Sequence, residues 1–140
     1  MSNKKDIRLL SLNELILFCK ENKLPAYKAK QIYEWLWKKN VKSFEDMSSI
    51  SQKLRNMLKD VFWINHIKVY SQHISKDNTI KYGLRLHDQN IVEGVLIPSK
   101  KRITACISSQ AGCSLSCNFC ATGKLTLKRN LTSSEIYDQV

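Results

Sequence analysis

The spacing of apolar residues changes near residue 63. Before that point, apolar side chains recur every three or four residues, which is the period of one helix face. After it, short runs rich in β-branched and aromatic residues alternate in period two, and turn-forming residues separate them. The pattern therefore predicts a helical accessory domain over residues 1–62, followed by a small β segment and connector over residues 63–102.

Helices are predicted at three places in the accessory domain. Ser11 and Glu14 have the spacing of a capping box, so the first helix is expected to begin at about residue 12. Pro25 suits the first turn of the second helix. The third helix is expected within residues 51–62, with an apolar stripe that runs as far as Val61.

Cys19 and the tryptophans of this domain are interpreted as core residues. Cys19 lies on an apolar helix face, where a free thiol packs as a small hydrophobe. Trp35, Trp37 and Trp63 could stack on nucleic-acid bases, but tryptophans in a small helical bundle more often belong to the core.

The period-two runs predict an antiparallel meander. They cover residues 66–74, 79–86 and 90–98, with Pro98 ending the third strand and a basic connector after it. A further strand is expected within residues 102–109, leading directly into a group of cysteines. Near the C-terminus, a second capping box at residues 132–135 predicts the start of another helix.

Composition and charge narrow the class of protein. The chain has 140 residues, of which 43% are hydrophobic and 25% charged, as in folded soluble proteins. It is too short for a complete (β/α) barrel of about 250 residues. No apolar run of about 18 residues and no signal peptide is present, so we expect a cytoplasmic protein. The formal charge of +11 favours polyanionic partners, although a solvated lysine-rich surface also explains it.

The segment CSLSCNFC supplies candidate metal ligands at Cys113, Cys117 and Cys120, and Cys106 lies in the preceding strand. A cytoplasmic chain keeps thiols reduced, so a metal site is favoured over disulfides. A structural zinc site normally uses paired knuckles, and only one CxxC is present. An iron–sulfur cluster suits thiols on one loop better. The histidines show no ligand-like spacing: His66, His73 and His87.

The CxxxCxxC spacing provides three thiolates for a cluster of four irons. The fourth iron would remain open for an external ligand. An open iron suits reductive chemistry, because a cofactor bound to it can accept an electron from the cluster.

The sequence from Cys106 to the C-terminus resembles the cluster-binding segment of the RlmN family of radical S-adenosylmethionine RNA methyltransferases. The likeness includes SSQAGC before the cysteines, and CATGK and RNLT after them. Upstream, KAKQIYEW resembles the helical, RNA-binding domain of the family, and IVEGVLIP resembles its lead into the catalytic barrel. The resemblance covers nearly the whole chain.

The resemblance implies an activity and its cofactors. The family methylates carbon 2 of an adenine in 23S rRNA and in some tRNAs. By analogy, Cys113, Cys117 and Cys120 would ligate a 4Fe–4S cluster whose open iron binds S-adenosylmethionine. Reductive cleavage would then give a 5′-deoxyadenosyl radical. The implied partners are 23S rRNA, tRNA and an external electron donor such as a flavodoxin-type protein, and we expect a monomer that does not bind membranes.

The resemblance also implies catalytic roles for Cys106 and Glu93. In the family, the radical activates a methyl group carried on a protein cysteine, and the resulting methylene radical adds to adenine. A second cysteine, seven residues before the first cluster ligand, resolves the protein–RNA crosslink, and here that residue is Cys106. The proposed proton acceptor corresponds to Glu93, which would otherwise be an ordinary exposed strand residue. Gly112 and Gly123 would allow close backbone approach or simple turns.

The predicted fold class is α+β. A helical domain and a small antiparallel β segment would precede the first strand, the cluster loop and the start of the first helix of a truncated radical S-adenosylmethionine (β/α) barrel, over residues 103–140. The family carries its methyl-bearing cysteine, its Gly-rich cofactor segment and most barrel strands further downstream. We therefore expect the 140-residue chain alone to be inactive in methyl transfer.

Other interpretations remain open from the sequence. Methylation at carbon 8 by the related Cfr enzymes uses the same cluster loop and paired cysteines. A basic, non-enzymatic RNA-binding module with a structural zinc site is the alternative from a different class. A third interpretation is the inactive product of a decayed gene.

Overall fold

The computed structural model describes residues 4–115 and 125–140. The chain divides into two compact units, Met1–Asn65 and His66–Val140, which we call the helical unit and the sheet unit. Within the described residues, no helix combines the length and the apolar character that crossing a membrane requires.

The helical unit contains α1 (Leu12–Glu21), α2 (Tyr27–Trp37) and α3 (Gln52–Val61). Short strands β1 (Lys5–Asp6) and β2 (Phe62–Trp63) pair in parallel beside them. The predicted capping box forms at the start of α1. The three predicted helices are therefore confirmed.

The core of the helical unit collects the apolar faces of these helices. Leu15 and Cys19 of α1, Ile32 and Leu36 of α2, and Leu58 of α3 are all buried. Burial raises the pKa of the Cys19 thiol, so this cysteine stays protonated and inert. Its predicted place in the core is confirmed.

Two details at helix ends differ from the prediction. Val61 is 45% exposed, because α3 ends at this residue and the chain becomes extended. Phe62 then occupies the core position instead. Pro25 lies just before Ala26, the N-cap of α2, and therefore outside the first turn of that helix.

The tryptophans of the helical unit differ in how deeply they are buried. Trp35 and Trp37 are partly buried and pack against the core, as predicted. Trp63 is 36% exposed, and its assignment to the core was wrong. It lies in the two-residue strand β2, in which Phe62 takes the buried position.

The sheet unit is built on a four-stranded antiparallel meander. Its strands are β3 (Lys68–Ile74), β4 (Ile80–Arg85), β5 (Ile91–Pro98) and β6 (Ile103–Cys106), in that spatial order. The predicted meander is confirmed, and the strand leading to the cysteines is its fourth member. Since β6 pairs with β5, the strand that we predicted as the first barrel strand lies at the edge of this sheet.

One face of the meander carries the core of the sheet unit. Leu84 and Val92 are buried against Ala111 and Leu131. Short strands β7 (Gln110–Ala111) and β8 (Arg129–Asn130) pair in antiparallel fashion, and α4 (Ser133–Tyr137) follows β8. The predicted mixture of helix and sheet is confirmed. The truncated barrel remains a prediction.

Candidate catalytic and cluster-binding site

The predicted site residues fall into two groups. Glu93, Cys106 and Cys113 lie within the described part of the chain, whereas Cys117 and Cys120 lie outside it. Among the described residues, no group of three or more potential metal ligands comes together. The three-cysteine ligand set therefore stays a prediction.

The two ends of the cysteine-bearing loop lie side by side. Cys113 forms a parallel bridge with Thr126, and its N–H donates to the Leu125 carbonyl at 3.1 Å. Behind them, the Lys128 N–H donates to the Ala111 carbonyl at 2.8 Å. These bonds close the base of the loop, so the position of Cys113 is fixed by backbone pairing.

Gly112 is required at the base of this loop. Its φ of +79° lies in the left-handed region, which side chains other than glycine rarely adopt. A Cβ at this position would lie 2.1 Å from the Thr126 carbonyl oxygen. Both of the roles left open for Gly112, the turn and the close approach, therefore apply. Gly123 lies outside the described residues.

Cys113 has an environment that fits a cluster ligand. Its side chain is partly buried, and the Leu115 N–H lies 3.4 Å from its Sγ in donor geometry. Backbone N–H groups directed at sulfur stabilise the negative charge of a cluster thiolate and tune the cluster. The donor chemistry of the described residues thus agrees with the predicted iron–sulfur site.

Glu93 and Cys106 line the same cavity, which has a volume of about 440 Å³. Cys106 is the register partner of Val95 on β5, and Glu93 lies two residues before Val95. Side chains two apart on a strand share a face with their cross-strand partners, so these residues all lie on one face of the sheet. Gly112 lines the same cavity, so the cavity lies beside the start of the cysteine loop.

Glu93 forms an ion pair with Lys81 of β4. The Nζ–Oε1 distance is 2.7 Å, and both side chains are more than half exposed. Such an exposed pair contributes little to stability. Its consequence here is orientation, because the Lys81 ammonium draws the carboxylate of Glu93 toward β4.

Sequence reasoning missed an ionic network that surrounds the buried carboxylate of Glu135. Arg129 donates to both carboxylate oxygens of Glu135 at 2.8 Å, and its Nε donates to Asp88 at 2.6 Å. Nδ1 of His87 lies 3.2 Å from Glu135 Oε1. Glu135 is only 1% exposed. The capping-box pattern identified Glu135 as a helix cap, but it gave no indication of the partners from distant segments.

The network strongly perturbs its carboxyl groups. Burial by itself would raise the pKa of Glu135, but hydrogen bonds from Arg129 and the Thr132 amide outweigh it and lower that pKa to about 2. The hydrogen bond from Arg129 likewise lowers the pKa of Asp88 to about 2. The same bonds raise the pKa of Arg129. All three groups are therefore charged at neutral pH.

The fold resembles that of part of a known enzyme. The chain is similar to a radical SAM methyltransferase from Sphaerobacter thermophilus whose crystal structure is known, with a TM-score of 0.81 and 32% sequence identity. The match covers 96% of this chain and 40% of the other. The chain thus has the fold of part of a radical S-adenosylmethionine methyltransferase.

Sequence comparisons show which family of these enzymes the chain resembles. Residues 6–64 match the family described as "Ribosomal RNA large subunit methyltransferase N-terminal domain". The "Probable dual-specificity RNA methyltransferase RlmN" of Flavobacterium psychrophilum is 56% identical over 98% of this chain and 40% of its own length. The "Dual-specificity RNA methyltransferase RlmN" of Geotalea uraniireducens is 42% identical over the same shares. The chain is thus similar to RlmN proteins over nearly its whole length, and the resemblance that its motifs predicted is confirmed.

The matches cover part of each relative. The chain spans about two fifths of the length of the curated relatives it matches. The comparisons favour neither the Cfr-like alternative nor the zinc-binding module.

Proposed function

We propose that this chain carries the cluster loop and two catalytic residues of an RNA methyltransferase acting on carbon 2 of adenine in 23S rRNA and tRNA. The observation that carries the proposal is the shared cavity of Glu93 and Cys106, beside the start of the cysteine loop. The 56% identity to a curated RNA methyltransferase of the family supports the same activity.

The reaction would use a 4Fe–4S cluster and S-adenosylmethionine. Cys113, Cys117 and Cys120 would hold the cluster and leave one iron for the cofactor. When bound, the cluster supplies the electron that cleaves S-adenosylmethionine to a 5′-deoxyadenosyl radical. Gly112 and the Leu115 N–H support the ligand role of Cys113, because they fix its backbone and direct a donor at its sulfur.

Glu93 would accept the proton that leaves carbon 2 of adenine. Its carboxylate is exposed to the cavity side of the sheet and oriented by Lys81. A positioned carboxylate within reach of the reacting carbon is suited to general base catalysis.

Cys106 would be the thiol that resolves the protein–RNA crosslink. It is exposed, in contrast to the buried Cys19, and it lies in the last position of β6. An exposed thiol at a strand end can meet a sulfur supplied by another segment of the enzyme, which resolution of the crosslink requires.

The partners would be 23S rRNA, tRNA and an electron donor of the flavodoxin type. The formal charge of +11 supports an RNA partner, because neutralised phosphates release counterions. A monomer located in the cytoplasm completes the proposal.

A chimeric enzyme tests the proposed function. In the RlmN protein of Flavobacterium psychrophilum, this chain replaces the region that it matches over 98% of its length. The chimera is reconstituted anaerobically and incubated with a 23S rRNA fragment or tRNA, S-adenosylmethionine and a reductant. Mass spectrometry of the digested RNA should detect 2-methyladenosine.

Matched variants locate the catalytic residues. Glu93→Gln should lower product formation at least about 100-fold, the lower end of the effect of a positioned general base. Cys106→Ala should also lower product formation, because the crosslink to RNA is then not resolved. Glu45→Gln is the control, because Glu45 also forms an exposed ion pair with a lysine, Lys59, at 2.6 Å. A chimera that forms 8-methyladenosine, or no methylated adenosine at all, would contradict the proposal.

A further inference from the structure

We propose that Ser108 and Gln139 are positioning residues that hold Cys106 beside Glu93. The inference rests on the proposed function, since it concerns the two residues assigned to catalysis there. Neither Ser108 nor Gln139 needs to touch RNA or cofactor. They fix the segment that follows Cys106.

The first observation is a hydrogen bond between the two catalytic strands. Ser108 Oγ donates to the backbone carbonyl of Glu93 at 2.8 Å. The regular β5–β6 ladder ends at the pair of Val95 and Cys106. The Ser108 hydroxyl therefore connects the two segments two residues beyond the last backbone pair. It joins the segment after Cys106 to the residue that carries the carboxylate.

The second observation is that Gln139 pairs with the backbone of Ser108. The Ser108 N–H donates to Gln139 Oε1 at 2.8 Å, and Gln139 Nε2 donates to the Ser108 carbonyl at 2.8 Å. A side-chain amide with one donor and one acceptor thus takes the place of a neighbouring strand. The same Nε2 also donates to the Glu135 carbonyl at 3.1 Å, which ties the amide to α4.

The location of Cys106 explains why such support matters. β6 is an edge strand of the meander, and Cys106 is its last residue. Strand ends with few backbone bonds open locally at low free-energy cost. Cys106 and Gln139 also line a second cavity of about 230 Å³ together, so the support lies close to the thiol. A displacement of about 1 Å can lower the rate of a reaction by about 100-fold.

The Ser108 hydroxyl and the Gln139 amide are both neutral, whereas the proposed role of Glu93 depends on its charged carboxylate. Loss of either group should loosen the strand end without changing the charge around the cavity. A conservative replacement that keeps the hydrogen bond should restore the position of the thiol. Ser108→Thr keeps the hydroxyl, whereas Ser108→Ala removes it.

Cross-linking on the 140-residue chain tests the position of the thiol. Val95 is the register partner of Cys106, so Val95→Cys should allow a disulfide across the strands, which we measure by mass spectrometry under mild oxidation. Ser108→Ala or Gln139→Leu in this background should slow cross-linking about tenfold, and Ser108→Thr should restore it to within about threefold, as local opening predicts.

The controls separate positioning from general stability. Ser99→Ala removes a comparable hydroxyl bond, from Ser99 Oγ to the Arg102 carbonyl at 3.0 Å, in the connector between β5 and β6. It should leave cross-linking unchanged. Hydrogen exchange of the Ser108 amide should accelerate at least tenfold in Gln139→Leu, because that variant removes its acceptor. If Ser108→Ala unfolds the chain, Gln139→Leu decides the question.

Unchanged cross-linking and unchanged amide exchange in Gln139→Leu would overturn the inference. Cross-linking that Ser108→Thr fails to restore would overturn the role of the Ser108 hydroxyl. These readouts do not depend on methyl transfer. A chimera that makes no 2-methyladenosine would therefore defeat the proposed function, while leaving the positions of Ser108 and Gln139 to be judged by cross-linking.

Discussion

The capping boxes of α1 and α4 have the same sequence pattern and different surroundings. Ser11 and Glu14 cap α1, and Thr132 and Glu135 cap α4. In each box the hydroxyl accepts from the backbone N–H three residues later at 3.3 Å. In turn, the glutamate carboxylate accepts a hydrogen bond from the backbone N–H of the capping residue. The distance is 2.7 Å from Ser11 and 2.9 Å from Thr132. At the level of local structure, the boxes are equivalent.

The two boxes differ in the burial of their glutamates. Glu14 is exposed, and its carboxylate accepts hydrogen bonds from the N–H and the hydroxyl of Ser11. Glu135 is 1% exposed and also binds Arg129 and His87. Arg129 belongs to β8, which pairs with β7, the short strand just before Gly112 and Cys113. One local signal can therefore cap a helix in one place and, in another, also bind a strand at the base of the cysteine-bearing loop.

Removing Arg129, the cation that pairs with Glu135, should cause the largest loss of stability. Arg129→Leu leaves the carboxylate of Glu135 buried without its main partner, and such a loss costs about 3 kcal/mol or more. Hydrogen exchange of peptides from the sheet unit reports this loss separately from the helical unit. Lys59→Leu, which breaks the exposed pair with Glu45, should change little. Similar exchange in both variants would show that the ionic network of Glu135 does not stabilise the sheet unit.

Acid should weaken the sheet unit next. The pKa values of Glu135 and Asp88 are about 2 in the folded chain, below their ordinary values of 4.5 and 3.8. A lowered pKa contributes stability that is fully present above the ordinary value and is lost as pH falls toward the folded value. Urea unfolding followed by exchange of sheet-unit peptides should therefore show falling stability from about pH 5 to pH 2.

The acid response should depend on Arg129. In Arg129→Leu, the slope of stability against pH over this range should be clearly smaller, because the main cause of the lowered pKa values is absent. An unchanged slope would assign the acid sensitivity to other groups.

Loss of the capping hydroxyl gives a smaller effect that still distinguishes the boxes. Ser11→Ala should cost about 1 kcal/mol, and Thr132→Ala about 1–2 kcal/mol. Both hydroxyls also donate to the glutamate of their own box, and the second cost is larger because the bond of Thr132 lies in a partly buried site, whereas that of Ser11 is exposed. Urea titrations of each single variant, read by exchange in α1 and α4, measure both costs. A larger cost for Ser11→Ala would reverse the comparison.

Neutralising the exposed glutamate should have the smallest effect. Glu14→Gln keeps an oxygen that can accept from the Ser11 N–H, so exchange in α1 should not change measurably. Glu135→Gln is the contrasting variant, because it replaces one of the two oxygens that Arg129 binds with an amide group. Exchange in α4 and β8 should then increase clearly. Equal responses would mean that burial does not distinguish the boxes.

Local patterns predicted local structure well. The helices, the meander strands and both capping boxes depend on residues close together in sequence, so periodicity and cap spacing identified them. The predictions failed where the chain changes direction. The sequence predicted that the apolar stripe of α3 runs as far as Val61. In the structure the backbone becomes extended after Val61, so Phe62 occupies the core position instead.

The site required more than local patterns. Asp88 and Arg129 are 41 positions apart, and Ser108 and Gln139 are 31 apart, so no short motif contains either pair. Strand register brings Glu93 and Cys106 to one face, and the pattern of the sequence does not fix register across a connector. Their roles came from the family resemblance, which the comparisons confirm at the level of family.

The central claim is that Cys113, Cys117 and Cys120 hold a cluster while Cys106 remains free for catalysis. Anaerobic reconstitution of the 140-residue chain with iron and sulfide, read by visible absorption and by iron content, tests it directly. Cys106→Ala should retain a brown chromophore with about four irons per chain, and alanine at any of the three loop cysteines should abolish it. Loss of the chromophore in Cys106→Ala, or tight stoichiometric zinc without a chromophore, would contradict the account.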